Sequence, residues 1–146
     1  TRLAPDFTLT DTSGQTHTLS EHRGHNVLLY FSEGAGCQSC LVQMAEIEKQ
    51  ADKFADDDLT VLPIVMNTRD QITADMAANN VTTPFLLDDG TVAQEYGTLG
   101  KGMHAGLPGH SFVLIDAQGR QRWYGEFPSM WVPPTDLLAK AEKVLS

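Results

Sequence analysis

Cysteine is scarce in this sequence, and that scarcity excludes one class of small protein. Only two cysteines occur in 146 residues, Cys37 and Cys40. A chain held together by disulfides needs several pairs that close long loops. The chain must therefore fold around a hydrophobic core, and its length suits one domain over residues 1–146.

Long apolar runs and concentrated positive charge are also missing. The longest apolar runs, at 26–31 and 59–66, have the length of strands, whereas a membrane-spanning helix needs about 20 residues. Ten Lys and Arg are scattered along a chain whose formal net charge is -9. The sequence therefore predicts no membrane span and no binding to the phosphate backbone of nucleic acids.

What is present is a regular alternation of strand and helix patterns. Strands are predicted at 7–10, 16–19, 26–31, 59–66, 85–87, 111–115 and 121–124, with the first two forming a small hairpin. Helices are predicted from Cys37 to about Asp56 and at 69–79, 91–96 and 134–145. Polar residues of the first helix, Gln43 among them, are expected to face water at least in part. This order predicts an α/β protein with a mixed central sheet covered by helices on both faces.

The two cysteines form the motif Cys37-Gln-Ser-Cys40, which follows a predicted buried strand and begins a predicted helix. In open α/β sheets, sites are built at the carboxyl ends of strands, and the amides and dipole at a helix N-terminus stabilise a thiolate. Cys37 is therefore the predicted nucleophile, and the more buried Cys40 resolves the mixed disulfide. Half a zinc site and two buried small apolar residues are the alternatives.

Four stretches, at 4–7, 26–31, 37–40 and 111–119, give the chain a family resemblance. It resembles the thioredoxin-like redoxins, in the group that joins the peroxiredoxin-type thiol-specific antioxidant proteins to the thioredoxins of cytochrome maturation. The resemblance implies a thioredoxin fold with an added N-terminal β-hairpin. It also implies a thiol–disulfide oxidoreductase that uses its cysteine pair and no other cofactor. Gly36 stands where thioredoxins usually carry Trp.

A thiol peroxidase is an alternative that this resemblance raises and the local sequence disfavours. Peroxiredoxins place Pro seven residues and Thr three residues before the reactive Cys. Counting back from Cys37 gives Tyr30 and Gly34, and counting back from Cys40 gives Glu33 and Cys37. Neither cysteine has the peroxidase pattern.

Two further residues are predicted to serve the cysteines. The family places a cis-proline loop opposite the active-site helix, and Pro108 is the candidate, although an ordinary trans turn is the alternative. Glu33 lies four residues before Cys37 and is predicted to shuttle a proton to Cys40, because the second thiol must lose its proton to resolve. An exposed turn residue is the alternative for Glu33.

A copper- or zinc-binding carrier is the alternative from another class. Together with Cys37 and Cys40, the loop residues His104 and His110 would supply two sulfur and two nitrogen ligands. Met103 adds a soft ligand suited to Cu(I).

The resemblance also sets expectations about partners and location. The expected partners are protein thiols or disulfides and an upstream redox protein, and the chain is expected to be a monomer. Relatives with this motif and an N-terminal hairpin are often exported or tethered outside the bacterial cytoplasm. An extracytoplasmic location is therefore expected, with the cytoplasm as the alternative.

Overall fold

The computed structural model describes residues 2–146, and its first two strands form a small β-hairpin. Strands β1 (Thr8–Thr10) and β2 (Thr16–Thr18) pair antiparallel, as the sequence predicts. The buried Asp11 carboxylate holds the turn between them, because it accepts hydrogen bonds from the Ser13 and Gln15 amides at 2.8 and 3.0 Å. His17 Nε2 lies 2.6 Å from the second Asp11 oxygen.

Five strands form the mixed central sheet that the sequence predicts. They are β3 (Asn26–Phe31), β4 (Leu59–Val65), β5 (Leu86–Leu87), β6 (Ser111–Ile115) and β7 (Gln121–Glu126). Their order is β5-β4-β3-β6-β7, with β3 parallel to β4, β4 parallel to β5, and β6 antiparallel to both of its neighbours. The central position of β3 explains its apolar run, since both of its faces are covered.

A short 3-10 helix, Leu19–His22, follows β2. Five α-helices of the described residues flank the sheet. They are α1 (Gln38–Lys49), α2 (Ala51–Asp56), α3 (Arg69–Ala78), α4 (Thr91–Glu95) and α5 (Pro134–Leu145). Thr68 begins α3 with a capping box, in which it and Gln71 exchange hydrogen bonds. None of the helices in residues 2–146 combines the length and apolar character that crossing a membrane requires.

The prediction of one helix from Cys37 to about Asp56 is wrong at Gln50. There the backbone leaves helical geometry (φ -106°, ψ 19°) and the Gln50 amide bonds to Ile47 O at 2.9 Å. The Gln50 carbonyl then accepts from Lys53 and Phe54, so α2 restarts at once and Phe54 packs into the core. The break leaves no mark in the sequence, because it involves neither Gly nor Pro.

Alternate residues of β3 enter two separate cores. Leu28 and Tyr30 pack with residues of α1, α3 and α5 on one face of the sheet. Val27, Leu29 and Phe31 pack with residues of α4 and the N-terminal segment on the other. The prediction of a sheet covered on both faces is therefore confirmed. Cys37 and Cys40 belong to the first of these cores.

Candidate active site

The two cysteines lie at the junction that the sequence predicts, between the end of β3 and the start of α1. Cys37 is the residue that caps α1, and Cys40 lies in its first turn. A disulfide joins them, with Cα atoms 5.3 Å apart, which is within the range that disulfides need. Cys37 is 8% exposed and Cys40 is fully buried, so the prediction that Cys40 is the more buried is confirmed.

A tight loop after β3 holds Cys37 in place. The Ala35 amide donates to Asn67 Oδ1 and the Gly36 amide donates to Asp75 Oδ2, each at 2.8 Å. Gly34 has φ +72°, and a Cβ atom there would overlap the side chains of Asn67 and Val65. Only glycine fits this position without moving its neighbours. The loop therefore fixes where α1 begins.

A methionine partly covers the predicted nucleophile. Met130 Sδ lies 3.6 Å from Cys37 Sγ, and Ser39 Oγ lies 3.7 Å from the same sulfur. Met130 has φ 61°, a left-handed conformation that residues other than glycine adopt rarely. The loop after β7 thus accepts an unfavourable backbone conformation at the residue that touches Cys37.

Aromatic and polar groups of the core surround Cys40. The Tyr30 hydroxyl donates to the Cys40 carbonyl oxygen at 2.8 Å, and the Tyr30 ring stacks on Phe112 with centroids 4.8 Å apart. Burial raises the pKa of Tyr30, so the phenol stays neutral and can donate. His110 Nδ1 lies 3.8 Å from Cys40 Sγ, and the His110 ring lies 5.1 Å from that of Tyr30.

His110 and Gln43 form a buried polar cluster that the sequence did not predict. Gln43 has no exposed surface, so the prediction that it faces water is wrong. Its Oε1 lies 3.0 Å from His110 Nε2, and its amide pairs with both backbone groups of Val132. Burial lowers the pKa of His110 to about 4, which keeps the ring neutral at pH 7. A helical spacing of three residues from Cys40 is the signal that could have placed Gln43 on the inner face.

Glu33 lies near the start of the cysteine loop, where it is buried. Its Oε2 atom lies 2.9 Å from Nδ1 of His104, which is mostly exposed, and its backbone oxygen accepts from Asn67 at 3.2 Å. The side-chain partner of Cys40 is His110 and not Glu33. The role of Glu33 in proton transfer stays a prediction.

The predicted cis bond before Pro108 is wrong, since no peptide bond between the described residues is cis. Pro108 is buried and forms an antiparallel bridge with Leu99, and the Gly109 amide donates to Thr98 O at 2.9 Å. These contacts hold the loop in place with a trans bond before Pro108. The trans isomer is the more stable one for a bond to proline. His110, two residues after Pro108, is the residue of this loop that touches a cysteine. A catalytic role for Pro108 stays a prediction.

The four side chains of the alternative metal site, two Cys and two His, do not all come together. Within residues 2–146, no three or more His, Cys, Asp or Glu side chains are grouped so that they could hold a metal ion. His110 lies in the core beside Cys40, whereas His104 pairs with Glu33 and is mostly exposed. Met103 is also exposed.

Comparison with known proteins identifies relatives of two kinds. Thiol-disulfide oxidoreductase ResA of Geobacillus kaustophilus is 32% identical over 114 residues, which cover 62% of this chain and 65% of that protein. The chain therefore spans just under two thirds of ResA. Alkyl hydroperoxide reductase E of Mycobacterium tuberculosis is 31% identical over 120 residues, which cover 80% of this chain and 77% of that protein.

Two known structures share the fold. Peroxidoxin BcpB of Mycobacterium tuberculosis superposes with a TM-score of 0.83 at 21% identity, over 99% of this chain and 97% of that one. The reduced 2-Cys peroxiredoxin of Plasmodium vivax superposes with a TM-score of 0.85 at 18% identity, over 99% and 94%. The predicted thioredoxin-like fold is therefore confirmed.

The family follows from the sequence match. Residues 1–123 match the AhpC/TSA family. The relatives named above are oxidoreductases, which is the class of enzyme that the sequence predicts for this protein. Because that match covers most of the chain and includes the cysteine motif, the protein belongs to the AhpC/TSA family of thioredoxin-like redoxins.

Proposed function

We propose that the protein is a thiol–disulfide oxidoreductase that exchanges its Cys37–Cys40 disulfide with thiols and disulfides of other proteins or of small molecules. The observation that carries the proposal is the disulfide between Cys37, which caps α1, and Cys40 in its first turn. The sulfur pair carries two electrons by itself, so the proposed cycle needs no organic cofactor and no metal.

The cycle begins at Cys37 when the pair is reduced. The first amides of a helix have no acceptor within the helix, and they stabilise a thiolate at its N-terminus. The Cys37 thiolate attacks a disulfide of the partner, and one partner sulfur leaves. Cys40 then attacks Cys37 and releases the second partner sulfur, which leaves the partner reduced and the Cys37–Cys40 disulfide restored.

Two variants test the two-cysteine cycle. Cys37→Ser is expected to abolish reduction of a protein disulfide such as those of insulin, because it removes the nucleophile. Cys40→Ser is expected to keep the first attack and to accumulate mixed disulfides, which non-reducing gels and mass spectrometry detect. Full turnover by Cys40→Ser would contradict the proposal.

Peroxide reduction is the second candidate, and the match with alkyl hydroperoxide reductase E favours it. The pattern of Pro and Thr before the reactive cysteine is absent, since Tyr30 and Gly34 occupy those positions relative to Cys37. Stopped-flow measurement of hydrogen peroxide consumption by the reduced protein separates the two candidates. Rapid consumption that Cys37→Ser or Cys40→Ser abolishes would establish peroxidase activity.

The proposed partners follow from the same chemistry. Protein thiols or disulfides are the substrates, and an upstream redox protein restores the reactive state.

We also propose that the protein acts as a monomer outside the cytoplasm. The family resemblance supports this setting. Cell fractionation and light scattering of the purified protein test location and oligomeric state.

A further inference from the structure

A buried histidine touches the second cysteine. His110 Nδ1 lies 3.8 Å from Cys40 Sγ, His110 is 4% exposed, and Cys40 is fully buried. His110 lies on the loop that leads into β6, and the Phe127 amide donates to its backbone oxygen at 2.8 Å, which fixes the loop against the segment after β7. The sulfur that must lose a proton during resolution therefore faces an imidazole nitrogen.

Gln43 determines which nitrogen of His110 carries the hydrogen. The Val132 amide donates to Gln43 Oε1 at 2.9 Å, and Gln43 Nε2 donates to Val132 O at 2.8 Å, so the orientation of the Gln43 amide is fixed. His110 Nε2 lies 3.0 Å from the same Oε1, which can only accept, and it must therefore donate. A neutral imidazole has one N–H, so Nδ1 faces Cys40 with a lone pair.

The other groups around His110 leave its ring neutral. Burial lowers the pKa of His110 to about 4, and its partner at Nε2 is a neutral amide. Tyr30 is a neutral phenol, since burial raises its pKa. A small crevice beside His110 is lined by two residues of opposite charge, Lys101 and Glu126. A lone pair is therefore available at neutral pH.

We propose that His110 is the base that deprotonates Cys40 in the resolution step, and that Gln43 is a positioning residue that selects the reactive tautomer. This inference rests on the proposed function. The Cys40 proton moves to His110 Nδ1, the Cys40 sulfur bonds to the Cys37 sulfur, and the bond between Cys37 and the partner breaks. The electron pair of that bond leaves with the partner sulfur, which takes a proton from water, and His110 returns its proton to solvent. The two cysteines lose two electrons and the partner gains them.

Ellman's reagent separates the two steps. Attack by Cys37 on the reagent releases a first thionitrobenzoate, and resolution by Cys40 releases a second at a rate that does not depend on protein concentration. With His110 as base, the second rate is expected to vary little between about pH 6 and pH 8, because the pKa of His110 is lowered to about 4 and the base is already unprotonated over that range. His110→Gln keeps an N–H donor for Gln43 and has no basic nitrogen. We expect it to slow the second release about 100-fold at pH 7, with a rate that rises about tenfold per pH unit.

Matched variants separate a proton acceptor from a general structural role. His25→Gln makes the same change at an exposed histidine just before β3, and it should leave rate and profile unchanged. Glu33→Gln tests the rival carboxylate. An unchanged rate and pH profile in His110→Gln, or a pH slope that appears in Glu33→Gln instead, would overturn the proposal. Absence of a second release from the unchanged protein would refute the proposed function itself.

Nitrogen NMR of the unchanged protein gives a test that does not depend on the folding of any variant. At pH 7 the reduced protein is expected to show His110 with a protonated Nε2 and an unprotonated Nδ1. The opposite tautomer, or an imidazolium, would overturn the assignment of His110 as base.

Discussion

Gln43 connects three parts of the protein, and replacing it with leucine tests how the site is held together. Its side chain is fully buried in α1, and it binds the Val132 amide, the Val132 carbonyl and His110 Nε2 at 2.9, 2.8 and 3.0 Å. Leucine is similar in size and has no polar atom. Gln43→Leu therefore removes three hydrogen bonds and leaves most of the space filled.

The structure sets the size of the effect. Each buried polar group that loses its partner costs about 1–3 kcal/mol, and Gln43→Leu leaves three such groups on Val132 and His110. The added apolar side chain offsets part of this cost. We expect the free energy of unfolding to fall by about 3–5 kcal/mol, a large part of the 5–15 kcal/mol or so that a domain has.

Urea denaturation followed by tryptophan fluorescence measures this change. Gln38→Leu is the matched control, because Gln38 lies on the same helix, is exposed and makes one side-chain hydrogen bond, to Asn79 Oδ1 at 2.7 Å. The control is expected to change the free energy of unfolding by less than about 0.5 kcal/mol. If Gln43→Leu lowers the free energy of unfolding no more than Gln38→Leu does, the hydrogen bonds of Gln43 do not hold the segment between β7 and α5, which contains Val132, against α1.

Two further predictions concern the hairpin and the cysteine loop. Burial opposes ionisation of Asp11, but hydrogen bonds from Ser13, His17 and nearby amides outweigh it and lower the pKa of Asp11 to about 2. Because this pKa lies below its unfolded value of 3.8, ionised Asp11 contributes about 2 kcal/mol to the free energy of unfolding. That contribution is present above about pH 5 and is lost as the pH falls towards 2. In denaturation experiments over this pH range, Asp11→Asn should flatten the dependence of stability on pH. Gly34→Ala should lower the melting temperature by several degrees and slow disulfide exchange, because Gly34 has φ +72° and a Cβ atom there would overlap Asn67. If the melting temperature and the exchange rate are unchanged, Gly34 does not fix the cysteine loop as described.

The elements that the sequence predicts well are those whose pattern is local. The apolar run of β3 matches the structure from Asn26 to Phe31, because a central strand is buried on both faces wherever its neighbours lie. The break at Gln50 has no such local cause. Phe54, four residues after the break, packs against core residues that are distant in sequence, and helix propensity does not record such packing.

The same contrast between local patterns and contacts distant in sequence applies to the candidate site. Cys37 and Cys40 are neighbours in sequence, so their spacing at the start of a helix predicts both the disulfide and the difference in burial. His110 lies 70 residues from Cys40, and Val132 lies 89 residues from Gln43. Only the pairing of β3 with β6 and the path of the chain after β7 bring them together, and no local pattern encodes either.

The different surroundings of the two sulfurs support the proposed order of the chemical steps. Cys37 is the more accessible sulfur and lies at the positive end of α1, where a thiolate is stabilised. Cys40 lies in a core where a charge is costly, so its proton needs an acceptor within contact distance at the moment of attack. In the reverse of the proposed cycle, a partner thiolate attacks Cys37 and Cys40 leaves. Cys40 then takes its proton through His110, whose ring is neutral at pH 7 and must first accept that proton from solvent. The same groups therefore serve both directions, and His110 must accelerate the forward and reverse steps equally, since a catalyst does not change the equilibrium between them.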